Sequence, residues 1–134
     1  MNIGEAARAS GISRKMIRYY EEIALLEPAR TVNGYRVYGP QDVQTLRFIG
    51  ACRRLGFPMT DVKALLGMWR NRSRSSVEVK RLTDRHITAL RERVTELNAM
   101  ITALEALAQA CDGDDRPHCP IITAMANPDG SHTR

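Results

Sequence analysis

The chain has 134 residues, about one domain's worth, with 43% hydrophobic and 26% charged residues, the balance of a soluble globular protein. The formal net charge of +5 lies in the first half, because residues 1–70 hold eleven Lys/Arg and six Asp/Glu while residues 71–134 hold nine of each. A polar N-terminus and no apolar run long enough for a bilayer argue against a secretory signal and a membrane span, so a cytoplasmic protein is expected. Three Cys, an odd number, argue against a disulfide framework and leave metal or redox chemistry open.

Asn2 to Ala9 reads as a short helix with Ile3, Ala6 and Ala7 on its apolar side, followed by a Ser10-Gly11-Ile12 turn. Ser13 is placed to cap a second helix that runs to about Glu22. There Ile17 and Tyr20 face inward, while Arg14, Lys15 and Arg18 share the opposite side. Helix, Gly-containing turn and basic helix make a helix-turn-helix, whose second helix is the natural reader of a DNA major groove. Asn33-Gly34 between two short β-prone runs predicts a hairpin. Beside a helix-turn-helix that hairpin is a wing, and Tyr35 and Arg36 supply a hydroxyl and a guanidinium suited to phosphate oxygens.

Pro40 opens a third helix to about Leu55, with Leu46, Phe48 and Ile49 inward and Arg53-Arg54 near its end. Cys52 on that helix reads as a small buried apolar residue. Gly56-Phe57 breaks the helix, and Thr60 is placed to cap a fourth helix through about Trp69. Asn71 to Ser75 is a polar, Arg/Ser-rich joint, taken as a domain boundary.

From Ser76 to Ala110 there is no Pro and no Gly, so one continuous helix is allowed. Ser75 and Glu78 form a capping-box pattern at its start. Ile87, Leu90, Val94, Leu97, Ile101, Leu104 and Ala108 alternate in steps of three and four, a coiled-coil seam of about three heptads. Such a helix is roughly 50 Å long, more than the remaining chain can cover. A partner helix, parallel or antiparallel, from a second copy of the chain is therefore expected.

Cys111 and Cys119 then bracket a seven-residue loop containing Gly113 and Pro117, and Pro120 to Met125 reads as a short closing helix. Thiolates are soft ligands that select Cu(I) among common cellular ions, and two of them suffice for a low-coordinate monovalent ion, whereas Zn²⁺ normally takes four ligands. Cys119 falls at the start of the closing helix, where a thiolate is favoured. A redox-active Cys pair remains the alternative.

Ile17-Arg18-Tyr19-Tyr20-Glu21-Glu22, Leu25-Leu26, Asn33-Gly34-Tyr35-Arg36 and Leu55-Gly56-Phe57 together resemble the DNA-binding head of the MerR family of transcription regulators. With the long helix, the resemblance covers nearly the whole chain. One departure is Ala24, where the family usually has Gly. The loop Cys111-Asp112-Gly113-Asp114-Asp115 followed by Cys119-Pro120-Ile121-Ile122 resembles the effector loop of the copper-responsive branch. In divalent-metal members a further Cys stands near the start of the long helix, and the matching position here is Ser76. Lys80 is by analogy a positive group near the anionic metal–thiolate complex.

The resemblance implies a mainly α protein: a winged helix-turn-helix head joined to a long antiparallel coiled-coil dimerisation helix with a C-terminal metal-binding loop. The expected division is 1–70 for the head, 71–110 for hinge and helix, 111–126 for metal loop and short helix, and 127–134 for a tail. Expected DNA contacts are Arg14, Lys15, Arg18 and Tyr19 on the recognition helix, Tyr35 and Arg36 on the wing, and Arg53. Expected metal ligands are Cys111 and Cys119, with Ser76 and Lys80 tuning selectivity. No enzymatic activity is expected. The implied function is Cu(I)-responsive activation of copper efflux or detoxification genes by a cytoplasmic homodimer that distorts promoter DNA for RNA polymerase. Ag(I), Au(I), a divalent ion or a thiol redox signal are the alternative inputs.

Overall fold

The computed structural model describes residues 1–71, 76–111, 113, 114, 117 and 119–128. Six helices and one two-stranded sheet occupy them: α1 (Ile3–Ser10), α2 (Arg14–Glu22), β1 (Ala29–Arg30), β2 (Arg36–Val37), α3 (Pro40–Arg54), α4 (Met59–Arg70), α5 (Ser76–Ala110) and α6 (Pro120–Ala126). They fall into two compact units, Met1–Thr83 and Asp84–Arg134.

In the first unit, local chemistry sets each helix end. Asn2 caps α1 in a capping box with Glu5, and Gly11 closes it in the left-handed region at φ +77°. Ser13 caps α2 through the Met16 N–H at 3.2 Å. Pro40 begins α3, where its missing N–H is harmless, and the Gly39 N–H is taken by the Asp42 carboxylate at 2.8 Å. The fourth helix starts earlier than Thr60 suggests. Pro58 is its cap, in extended conformation, and its carbonyl accepts from Asp61 and Val62 at 2.9 and 3.0 Å. Proline suits that edge because its fixed φ matches and no N–H is needed.

The core of this unit joins all four helices: Ala6 from α1, Ile17 and Tyr20 from α2, Leu46 and Ile49 from α3, and Val62 and Leu66 from α4 are all buried. Phe48 lies at its edge, stacked on Trp69 with ring centroids 4.6 Å apart. The Arg47 guanidinium donates to the Ala9 carbonyl at 2.8 and 3.2 Å, tying α3 to the end of α1. Strands β1 and β2 pair antiparallel with Ala29 opposite Val37 and Arg30 opposite Arg36, and Gly34 takes φ +86° at the tip.

Ala24, just after α2, is the one non-glycine residue with positive φ among the described residues, at +62°. A Cβ there costs about 1 kcal/mol relative to glycine. Ala24→Gly is expected to raise the stability of the head by about that amount, read as a higher urea midpoint at unchanged slope. An unaltered midpoint would contradict the strain.

Helix α5 has the bounds that the Pro- and Gly-free run implies. Ser75, half of the expected capping box, lies outside the described residues, as does most of the 71–75 joint. In the second unit the seam is uncovered: Val94, Leu97, Ile101 and Leu104 are each about half exposed, at 54, 49, 52 and 51%. His86 is buried.

Candidate functional site

Cys111 follows the last residue of α5, its N–H still donated to the Ala108 carbonyl at 3.2 Å. Cys119 caps α6 in an extended conformation. The chain brings their sulfurs to 3.5 Å, with both thiols free and half-buried. The Cys119 thiol is held below its ordinary range, first by the Ile122 N–H, then by the Cys111 thiol and the Ile121 N–H, with burial opposing. A thiolate is therefore favoured at the start of α6, which is the form that binds soft metals. Cys52 is the opposite case: it is buried in the head, and burial pushes its thiol up.

No group of three or more His, Cys, Asp or Glu side chains forms a metal cluster among the described residues. The two sulfurs thus stand as a pair. Asp112, Asp115 and His118 lie outside the described residues. Ser76 and Lys80 are exposed on the first two turns of α5, the end opposite Cys111.

The basic surface belongs to α2 and the wing. Arg14, Lys15, Arg18 and Tyr19 are exposed while Ile17 and Tyr20 are buried, so the helix is split into two faces as its period requires. Arg14 lies across Gly4, where a Cβ would sit 2.7 Å from its guanidinium. The Tyr19 ring is tilted at 55° to that of Tyr20, with centroids 5.8 Å apart, and Tyr19 stays exposed. Arg18, Tyr35 and Arg36 line one depression of about 420 Å³ with Asn2 and Ile3 at the start of α1. Five of the seven expected DNA contacts therefore lie on α2 or beside it on the wing's Arg36, and Tyr35 is exposed at the hairpin tip.

Arg53 is partly committed elsewhere, since it donates to the Phe57 carbonyl at 2.8 Å and so closes the end of its own helix. Arg36 is also engaged: its Nε is 2.6 Å from the Glu21 carboxylate. Glu21 has no place among the sequence-derived site residues. A signal for it existed, since Glu21 follows Ile17 by four residues and so shares the buried face of α2, where a carboxylate needs a partner.

A helix-turn-helix with a basic second helix, a wing beside it, and a long amphipathic helix ending in a paired-thiol loop are the parts of a DNA-binding transcription regulator. The chain belongs to the MerR family. Residues 1–68 match the family described as MerR HTH family regulatory protein, and residues 43–107 match MerR, DNA binding.

Among curated relatives, heavy metal-dependent transcription regulator 2 of Rhizobium meliloti (strain 1021) is 52% identical over 95% of this chain and 87% of its own length. The HTH-type transcriptional regulator CueR of Escherichia coli O6:H1 (strain CFT073) is 38% identical over 94% of each. Among solved structures, the transcription regulator PbrR691 from Ralstonia metallidurans CH34 in complex with lead(II) has a TM-score of 0.81 and 31% identity, covering 93% of this chain and 98% of its own. Among the described residues no helix is long and apolar enough to cross a membrane.

Proposed function

We propose that this chain is a Cu(I)-responsive transcription activator that acts as a homodimer on promoter DNA and controls copper efflux or detoxification genes. The observation that carries the proposal is the pair of free thiols at Cys111 and Cys119, 3.5 Å apart, with no third ligand gathered among the described residues. Two soft ligands and a favoured thiolate suit a monovalent d¹⁰ ion, and Ag(I) and Au(I) share that preference. The resemblance of the Cys111–Ile122 loop to the effector loop of the copper-responsive branch supports the copper assignment. Ser76, where a thiol would serve a divalent ion, supports it from this chain's own residues.

The spacing also gives the ion mechanical leverage. An ion in line between sulfurs 3.5 Å apart would be about 1.75 Å from each, which is shorter than a metal–thiolate bond of about 2.3 Å. In-line coordination by Cys111 and Cys119 would therefore hold the two sulfurs roughly 1 Å farther apart than the free thiols stand. Metal binding thereby favours one loop geometry over another, and only such differential affinity shifts a two-state dimer. The dimer forms along the uncovered seam of α5. Residues 1–70 serve as head, 71–110 as hinge and dimerisation helix, 111–126 as sensor and 127–134 as tail. Arg14, Lys15, Arg18, Tyr19, Tyr35, Arg36 and Arg53 contact DNA, mostly its phosphates, and Arg14 and Lys15 reach base edges. Ser76 and Lys80 tune selectivity, Lys80 by analogy balancing the anionic complex. RNA polymerase engages the promoter once the metal-bound dimer distorts it. No step calls for enzymatic chemistry.

A second proposal has a specific observation behind it. Two thiolates on a tetrahedral ion stand about 3.8 Å apart at a bond of about 2.3 Å, close to the spacing seen here. A divalent ion would then need further ligands from a partner subunit. The lead(II) complex of PbrR691 keeps that input in view.

Run-off transcription by purified RNA polymerase separates the two, using the reduced protein and a panel of Cu(I), Ag(I), Au(I), Zn²⁺, Cd²⁺ and Pb²⁺. The monovalent ions are expected to raise output and the divalent ions to leave it at the apo level. A response to divalent ions alone would overturn the copper assignment.

A further inference from the structure

Glu21 sits in the last turn of α2, and its side chain is only 10% exposed. A carboxylate in such a place must be paired, because burying its charge without a partner is unfavourable. Both oxygens are used. Oε2 stands 2.6 Å from Arg36 Nε, and Oε1 accepts a hydrogen bond from the Tyr38 hydroxyl. Arg36 opens β2 and Tyr38 follows the strand's last residue, and both side chains reach Glu21 on α2.

Tyr38 is itself anchored. It is fully buried, and its N–H and C=O pair with the Met1 carbonyl and the Met1 amino group, both at 2.8 Å. The neighbourhood is strongly basic: Arg18, Arg30 and Arg36 line a depression of about 240 Å³ with Glu21 and Glu22.

We infer that Glu21 is a positioning residue for DNA binding: its carboxylate ties the wing to the recognition helix through Tyr38 and aims the Arg36 guanidinium. Engagement through Nε leaves the two terminal nitrogens of Arg36 as donors for a phosphate. A negative charge facing the DNA-binding surface is unfavourable for phosphate attraction alone. Its benefit is geometric, because it holds the wing arginine at a set distance from Arg18 before DNA arrives. The residue therefore favours a duplex whose backbone follows that spacing over duplexes that do not. This rests on Arg36 being a DNA contact, as proposed above.

The test uses the full-length protein and two probes, a palindromic duplex selected from a random pool by the wild-type protein and a random-sequence duplex of equal length. Arg36→Ala and Glu21→Gln are each expected to weaken binding of the selected duplex about tenfold. The double variant should bind no worse than Arg36→Ala, since the two act as one unit. Glu21→Gln should bind the random duplex as tightly as wild type or tighter, because a negative charge has gone. Wild-type affinity of Glu21→Gln for the selected duplex, additive losses, or an equal loss on both duplexes would each overturn the inference. No loss in Arg36→Ala would overturn the contact on which it rests, a separate failure.

If Glu21→Gln does not fold, Tyr38→Phe carries the test, because it removes one hydrogen bond and keeps the ring and the ion pair. It should weaken the selected duplex two- to fivefold and spare the random one. Unchanged discrimination would overturn the inference.

Discussion

Cys111→Ser is expected to abolish the metal response while leaving DNA binding by the metal-free protein at its wild-type level. One of two sulfurs disappears, and a hydroxyl is a poor ligand for a soft ion. The loss of affinity should reach roughly a thousandfold, beyond the 10–100-fold typical for a partner outside the coordination sphere. Cys111 lies after the last residue of α5 and is absent from the core of Met1–Thr83, so the head keeps its fold. Transcription measured with and without Cu(I), alongside DNA affinity of the apo variant, checks both halves. A variant that still responds to metal would remove Cys111 from the sensor. A variant that no longer binds DNA would make it a structural residue.

Leu97→Asp is expected to split the proposed dimer. Leu97 stands in the middle of the seam and is 49% exposed on the single chain. A symmetric interface repeats every substitution, so the change removes two leucines and brings in two carboxylates. Losing about 1 kcal/mol per half-exposed leucine weakens association by roughly thirtyfold. Burying the charges adds to this. Sedimentation velocity at micromolar concentration should show a monomer with an intact head. A variant that sediments as the wild-type dimer does would displace the interface from this seam.

Where one physical rule dominated, residues alone located the structure closely. The Pro- and Gly-free run gave α5 its bounds, Ser13 its capping role, and Asn33-Gly34 the hairpin. The resemblance singled out Ala24 as the place where a glycine would fit better, and its φ of +62° agrees. The fourth helix was harder. Thr60 and Pro58 both start helices well, and only the backbone hydrogen bonds show that Pro58 is the cap. Side-chain partnerships across elements were least legible. Arg36 reads from sequence as a free phosphate ligand, yet its Nε is held by Glu21, and Arg53 is drawn to the Phe57 carbonyl. Such pairings depend on which strand faces which helix, and periodicity does not fix that. His86 falls between seam positions and is buried on the single chain. Spacing in sequence also said that two thiols share a loop without saying how close they come. The 3.5 Å separation is what allows the distinction between in-line and tetrahedral coordination to be drawn.

The central claim, a two-thiolate monovalent sensor, is tested most directly by titrating the reduced protein with Cu(I) against a competing chelator and taking the X-ray absorption spectrum of the loaded sample. One tightly held ion per subunit with two sulfur neighbours and no nitrogen or oxygen is the predicted result. Weak binding, or three or four neighbours including nitrogen or oxygen, would contradict it and move the sensor to a divalent ion or a thiol redox signal.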